Sequence, residues 1–295
     1  MARAFLAGAL LLLLAAPSRA RACATCGCGD PTLTVMGAEP PYAGRVRLFT
    51  QLRYRWDAVG EGEARASLHE GQLDLGVSVA PDDRVVISAT MPVVLRAVSW
   101  ANLGHAVTVG TGDLELRSRI VLLRDRRFAP SHLLGAHVGV KLPTSIDQAR
   151  ADGTLLPVDA QTGSGTIDPL LGLFYAHFAD PWSLFASAVV ALPLAGRYDE
   201  APGPSLRASV AVQYRLDRHV TFRAGTDVRW DAPARIGDRT DPATDQAVLF
   251  VSPDLLWSPV SDLVLVLGAR IPTIQLSEQG REEGVYVQLG AVVDL

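Results

Sequence analysis

All three cysteines of the 295-residue sequence fall in one nine-residue stretch, CATCGCGDP, where Cys23, Cys26 and Cys28 are spaced as Cys-x-x-Cys-x-Cys. Thiolates at that spacing offer three soft ligands. The α-amine of a new N-terminus at Cys23, or the carboxylate of Asp30, would complete a shell for Cu(I) or Zn(II). In an oxidising compartment the same thiols pair instead, Cys23 with Cys26 or Cys26 with Cys28, leaving one over. Gly27 stands where a haem-attachment motif requires His, and no second cysteine pair completes a zinc ribbon. A lipid on Cys23 is the third use, although Ala20 and Arg21 depart from the usual lipoprotein cleavage pattern. Metal shell, disulfide and lipid anchor all stay open at this level.

Compartment decides among them, and the residues ahead of the cysteines set it. Arg3, a Leu-rich run over 5–16 and the small-x-small step Ala20-Arg21-Ala22 make residues 1–22 a secretory signal. The expected organisation is a signal over 1–22, a periplasmic cysteine arm over 23–44 and one structural unit over 45–295. Acidic residues outnumber Lys and Arg by 31 to 27, so the composition argues against nucleic acid as a partner. No stretch after the signal approaches the ~20 continuous apolar residues of a spanning helix. The best candidate, residues 183–196, is short and is broken by Pro193.

Catalytic chemistry finds little support. His69, His105, His132, His137, His177 and His219 are scattered, with no serine elbow and no paired-histidine metal motif beside them. No enzyme is expected.

What recurs along the chain is period-two alternation, which makes strands with two unlike faces. In RVRLFTQLRYRW, Val46, Leu48, Thr50, Leu52, Tyr54 and Trp56 oppose Arg47, Phe49, Gln51, Arg53 and Arg55. About twelve such segments are expected, over 45–57, 67–80, 84–97, 112–123, 133–143, 166–178, 182–194, 205–216, 219–230, 247–257, 262–271 and 284–294. Many run to ~11–13 residues, longer than the ~5–6 of ordinary strands and matched to a tilted membrane crossing. Links after even segments are short and links after odd segments are long, as periplasmic turns and extracellular loops alternate in outer-membrane barrels. Trp56 and Trp230 then reach the outer interface, and Trp182, Tyr214 and Trp257 the inner one. The fold class expected is all-β, a single up-and-down antiparallel transmembrane β-barrel of about 12 strands with a short N-terminal periplasmic arm, in the outer membrane of a Gram-negative bacterium.

Three motifs stand out in the central third: GTGD at 110–113, GVKLPTS at 139–145 and TGSGTIDPLLGL at 162–173. In that order and spacing they resemble the outer-membrane barrel family assigned to transport in the phenol-degradation (MetA) pathway. The family usually has Gly where Ser145 stands. The resemblance implies a pore for small aromatic or hydrophobic compounds.

Strand parity points Asp113, Glu115, Arg117, Arg119, His137, Lys141 and Asp168 into the lumen, where the three motifs meet at the outer rim of adjacent strands. Such an acid and base cluster would form a constriction that selects solutes by charge. Arg47, Arg53, Arg55, Asp74, Arg207, Arg215, Arg223, Asp227, Arg229 and Arg270 also read as inward, giving a polar lumen with a basic excess that favours anions or carboxylated aromatics. The function expected is a passive channel for small solutes, with membrane lipid and a solute as partners. The competing class is a structural barrel that binds a periplasmic protein through the cysteine arm.

Overall fold

The structure is a computed structural model that describes residues 43–59, 65–101, 104–194, 200–237, 239–241, 244–277 and 281–295. The signal segment and the cysteines Cys23, Cys26 and Cys28 lie outside the described residues.

In β1 (Val46–Val59) the alternation read from sequence is inverted relative to a soluble protein. Leu52 is 49% exposed while Arg55 is 4% exposed. The apolar face looks outward and the charged face is enclosed, the arrangement a strand adopts when lipid and not water surrounds the molecule. The same holds in β10 (Ser205–Arg215), where Val210 and Val212 are exposed, and in β11 (Val220–Asp231), where Phe222 and Val228 are exposed over buried Arg223 and Arg229.

The wall continues through β2 (Ala66–Val79), β3 (Val85–Trp100), β4 (Gly104–Thr111), β5 (Leu114–Arg124), β6 (His132–Leu142), β7 (Asp168–Ala179), β8 (Trp182–Ala191), β14 (Gln246–Val260), β15 (Leu263–Ser277) and β17 (Tyr286–Asp294). Each pairs antiparallel with its neighbour, and β17 returns to β1 with Arg47 opposite Asp294 and Tyr54 opposite Val287, so the barrel closes. A closed sheet leaves no continuous edge, which is what a bilayer demands of strands. Three short strands, β9 (Glu200–Ala201), β12 (Ala234–Ile236) and β13 (Arg239–Asp241), form a small sheet, and β16 (Glu282–Glu283) pairs with β1.

Turns at the end where the chain enters β1 are built on aspartates. Asp125 Oδ1 accepts from the N–H groups of Ser131 and His132, and Asp217 Oδ1 accepts from those of His219 (2.6 Å) and Val220 (2.8 Å). These donors, His132 first for Asp125 and His219 first for Asp217, hold both carboxyls below the ordinary carboxylate range. Trp182 packs tilted against Tyr214 at 4.6 Å between centroids at this end, and Trp56 and Trp230 stand at the other.

The fourth wall strand departs from expectation. Residues 98–111, read as a long loop, instead extend β3 to Trp100 and form β4. β4 and β5 both pair with β3, so they are two halves of one wall strand interrupted at Gly112 and Asp113. Likewise β15 runs on to Ser277, past the expected boundary at 271, because Gln246–Leu249 of β14 remain paired with it.

The lumen also departs from a uniformly polar one. Towards the β1-entry end, Phe49, Leu256, Val266 and Val292 cluster inward on one side, and Val121, Leu133, Phe174 and Ala176 on the opposite side. Phe49 lies over Gly76, and Phe174 over Gly135, its cross-strand partners on β2 and β6. Neither glycine tolerates a side chain there, since a Cβ would enter the ring.

Candidate functional site

Residues 144–167 do not all extend away from the barrel. Their last part, 159–166, folds into its outer half, where Asp159, Gln161, Thr162, Ser164 and Thr166 are all buried, while 149–155 stay exposed. The buried stretch is small and mostly polar, so its backbone must be met by the wall, while Leu156 and Ala160 pack on Leu68, Val98, Trp100 and Ala106.

The wall meets it at three points. Arg96 Nη1 donates to the carbonyls of Asp159 (3.2 Å) and Gln161, while its Nε and Nη2 hold Glu70, which also takes Arg55 Nε at 2.8 Å. Thr108 of β4 donates to the Ala160 carbonyl at 2.8 Å, and Thr162 donates to the Thr111 carbonyl at 2.9 Å. Asp113, in the break between β4 and β5, accepts from Ser145 N–H (3.2 Å), Ser164 N–H (2.7 Å) and Ser164 hydroxyl (3.0 Å). From Ser164 the hydrogen bonds run on to Thr166 (2.9 Å), from the Thr166 hydroxyl to Asp168 (2.6 Å), and from Asp168 to Lys141. The loop is also tied internally, with Gln161 and Gln148 exchanging side-chain and backbone hydrogen bonds.

Beneath the loop lies a cavity of about 180 Å³ in the outer half of the lumen, lined from β1 round to β15. Of the expected rim residues, Asp113, Glu115, Arg117, Lys141 and Asp168 line it. Arg119 and His137 do not. They are cross-strand partners deeper in the barrel, where the Arg119 guanidinium lies 5.4 Å from the Phe174 ring and His137 packs 5.2 Å from it. Both His137 ring nitrogens are buried without hydrogen-bond partners among the described residues.

The charge of the lining is close to balanced. Seven cations (Arg53, Arg96, Arg117, Lys141, Arg207, Arg229, Arg270) meet six acids (Glu70, Asp74, Asp113, Glu115, Asp168, Asp227), a surplus of one cation at this cavity. Arg215, read as an inward cation, is 56% exposed and pairs with Asp180 in a turn. Glu70 and Glu283 escaped the sequence reading because each belongs to a cross-strand network that only register reveals. Glu283 receives Gln246 Nε2 (2.8 Å), the Tyr286 hydroxyl (2.7 Å) and Arg229. The signal for Glu70 was present in β2, where Glu70, Gln72 and Asp74 share the inward parity. Among the described residues no group of three or more His, Cys, Asp or Glu is placed to hold a metal ion.

No family model and no curated protein matches the sequence. Among solved structures, an outer membrane channel from Pseudomonas putida F1 is similar at a TM-score of 0.66 and 17% identity, over 86% of this chain and 96% of that one. The β domain of the Bordetella autotransporter Brka is similar at 0.52 and 8%, over 86% and 100% of the two chains. The translocator domain of the autotransporter NalP from Neisseria meningitidis is similar at 0.50 and 12%, over 89% and 92%. At these identities the likeness is one of fold, and the chain has the closed antiparallel barrel of outer-membrane proteins.

Proposed function

We propose that the chain is a passive channel of the Gram-negative outer membrane for small solutes, aromatic ones as the resemblance to the MetA-pathway barrels implies, or anionic ones drawn by the arginines of its lumen. One observation carries the reading. The outer half of the lumen holds a cavity lined by paired charges and narrowed by an inward-folded loop, the way a channel constricts its path without filling it. The fold of an outer membrane channel is among those it resembles. The cysteine arm, on this reading, is a periplasmic accessory whose thiols hold Cu(I) or Zn(II) or form a disulfide. Metal analysis with Cys26 and Cys28 changed to Ser, compared with the unchanged protein, decides between these.

A second reading, a closed structural barrel, is favoured by the two inward apolar clusters around Phe49 and Phe174. Planar-bilayer recording separates the two. A channel gives discrete conductance steps in KCl, and a protein with a heat-modifiable barrel band but no steps is a structural barrel.

A further inference from the structure

Six of the seven cations around the outer cavity are already engaged. Arg53 pairs with Asp74 at 2.7 Å, Arg96 with Glu70, Arg117 with Glu115 at 2.7 Å, Lys141 with Asp168, Arg229 with Asp231 at 2.8 Å, and Arg270 with Asp227 at 3.4 Å. Arg207 is the seventh. Among the described residues it lines the cavity from β10 with no ion pair, and its Nε is buried there without a hydrogen-bond partner.

Register explains this isolation. The cross-strand neighbours of Arg207 are Val189 on β8 and Arg229 on β11, and neither offers an acceptor. Glu115, an acid whose charge Arg207 acts on, is held by Arg117. What sets Arg207 apart from the other six is that no carboxylate among the described residues is ion-paired with it, and the cost of withdrawing a guanidinium partly from water without one is offset by an anion that binds there.

Beside Arg207 the wall turns apolar. Val189, Ala191 and Leu170 line the cavity on β8 and β7, and Val189 Cγ2 rests 2.8 Å from where a Cβ on Gly172 would stand. The shelf and the cation therefore lie on neighbouring strands. An inorganic anion would leave the shelf unused, and a neutral aromatic would leave Arg207 unmet.

We propose that Arg207 and the shelf of Leu170, Val189 and Ala191 form a binding station for a small apolar monocarboxylate of about benzoate size. The carboxylate takes the arginine fork and the ring lies on the shelf. A cavity of about 180 Å³ has room on the order of ten waters, enough for one such solute at a time. The station rests on the channel reading and names the solute class for it.

The test is planar-bilayer recording in KCl with benzoate, acetate or benzyl alcohol added. Benzoate is expected to reduce the current saturably, at a half-effect concentration at least tenfold below those of acetate and benzyl alcohol. Arg207→Gln is expected to raise the benzoate value at least tenfold, and Arg207→Lys to raise it less. If Arg207→Gln gives no heat-modifiable band, Val189→Asn serves, raising the benzoate value while leaving that of acetate in place. Equal responses to the three solutes, or an unchanged benzoate response in a folded variant, overturn the station while the KCl current leaves the channel standing. Absence of KCl current overturns the channel reading, and the station falls with it.

Discussion

Asp113 accepts hydrogen bonds from both the N–H and the hydroxyl of Ser164, 51 residues further along the chain. One carboxylate thereby fixes the inward loop to the break in the fourth wall strand, and the second oxygen holds Ser145 at the loop's other end. Asp113→Ala removes all three acceptor contacts and leaves buried donors unmet, at a cost of about 1–3 kcal/mol. Urea unfolding in micelles is expected to show that loss, and bilayer recording a larger and noisier conductance as the loop leaves the lumen. An unchanged conductance would mean that the loop does not set the constriction.

Glu70 is the shared acceptor of Arg55 and Arg96, and Arg96 in turn carries the carbonyls of the loop. Glu70→Gln leaves two buried guanidinium groups facing a neutral amide, and breaking a buried charged network by one partner costs about 3–5 kcal/mol. The midpoint of heat modification on gels is expected to fall. Substituting Arg65, an exposed partner of Glu282 at 3.9 Å, is the control and is expected to change the midpoint little.

Phe49 sits over Gly76 in the half of the lumen nearest the barrel's entry turns. Phe49→Ala deletes a buried ring at a cost of about 3–5 kcal/mol and empties part of the inward apolar cluster it forms with Leu256, Val266 and Val292. In bilayers the variant is expected to conduct more than the unchanged protein. A lower or equal conductance would place the limiting constriction at the inward loop alone.

The turn at Asp217 supplies a pH dependence outside the membrane. Its folded carboxyl lies below the ordinary value, so the unfolded chain binds the proton first as pH falls. The stability it contributes is present above the unfolded value of about 3.9 and is lost as pH falls through the lower folded value. The amide resonances of His219 and Val220 in micelles are expected to titrate together, with a midpoint below about 3.9. Asp217→Asn is expected to abolish that titration.

Much of the barrel was legible in the alternation of residues such as those of β1, β10 and β11, because two unlike environments on either side of a wall write themselves at period two. The inward course of residues 159–166 was not, since a loop met by the wall has no period to read. Thr162, Gly163 and Ser164 carried the one hint, a run of small residues where Gly163 has no room for a Cβ beside Asp113 and Ser145. Phe49, standing among Arg47, Gln51 and Arg53 on the inward parity, was likewise a visible sign of the apolar clusters. The partners of Glu70, Glu283 and Asp113 depended on register between distant segments, which single-strand patterns do not contain.

β4 forms its ladder with β3 alone among the described strands, and the lining folded from the lumen side meets it through Thr162, which donates to the Thr111 carbonyl at the strand's end, and through Thr108, which holds the Ala160 carbonyl. That lining is therefore part of the wall as well as an obstacle in the path. Excising residues 146–166 would strip a sheet edge bare in the plane of the membrane, inviting β4 to pair with a second molecule. A loop deletion would therefore produce aggregates before it produced a wider bore.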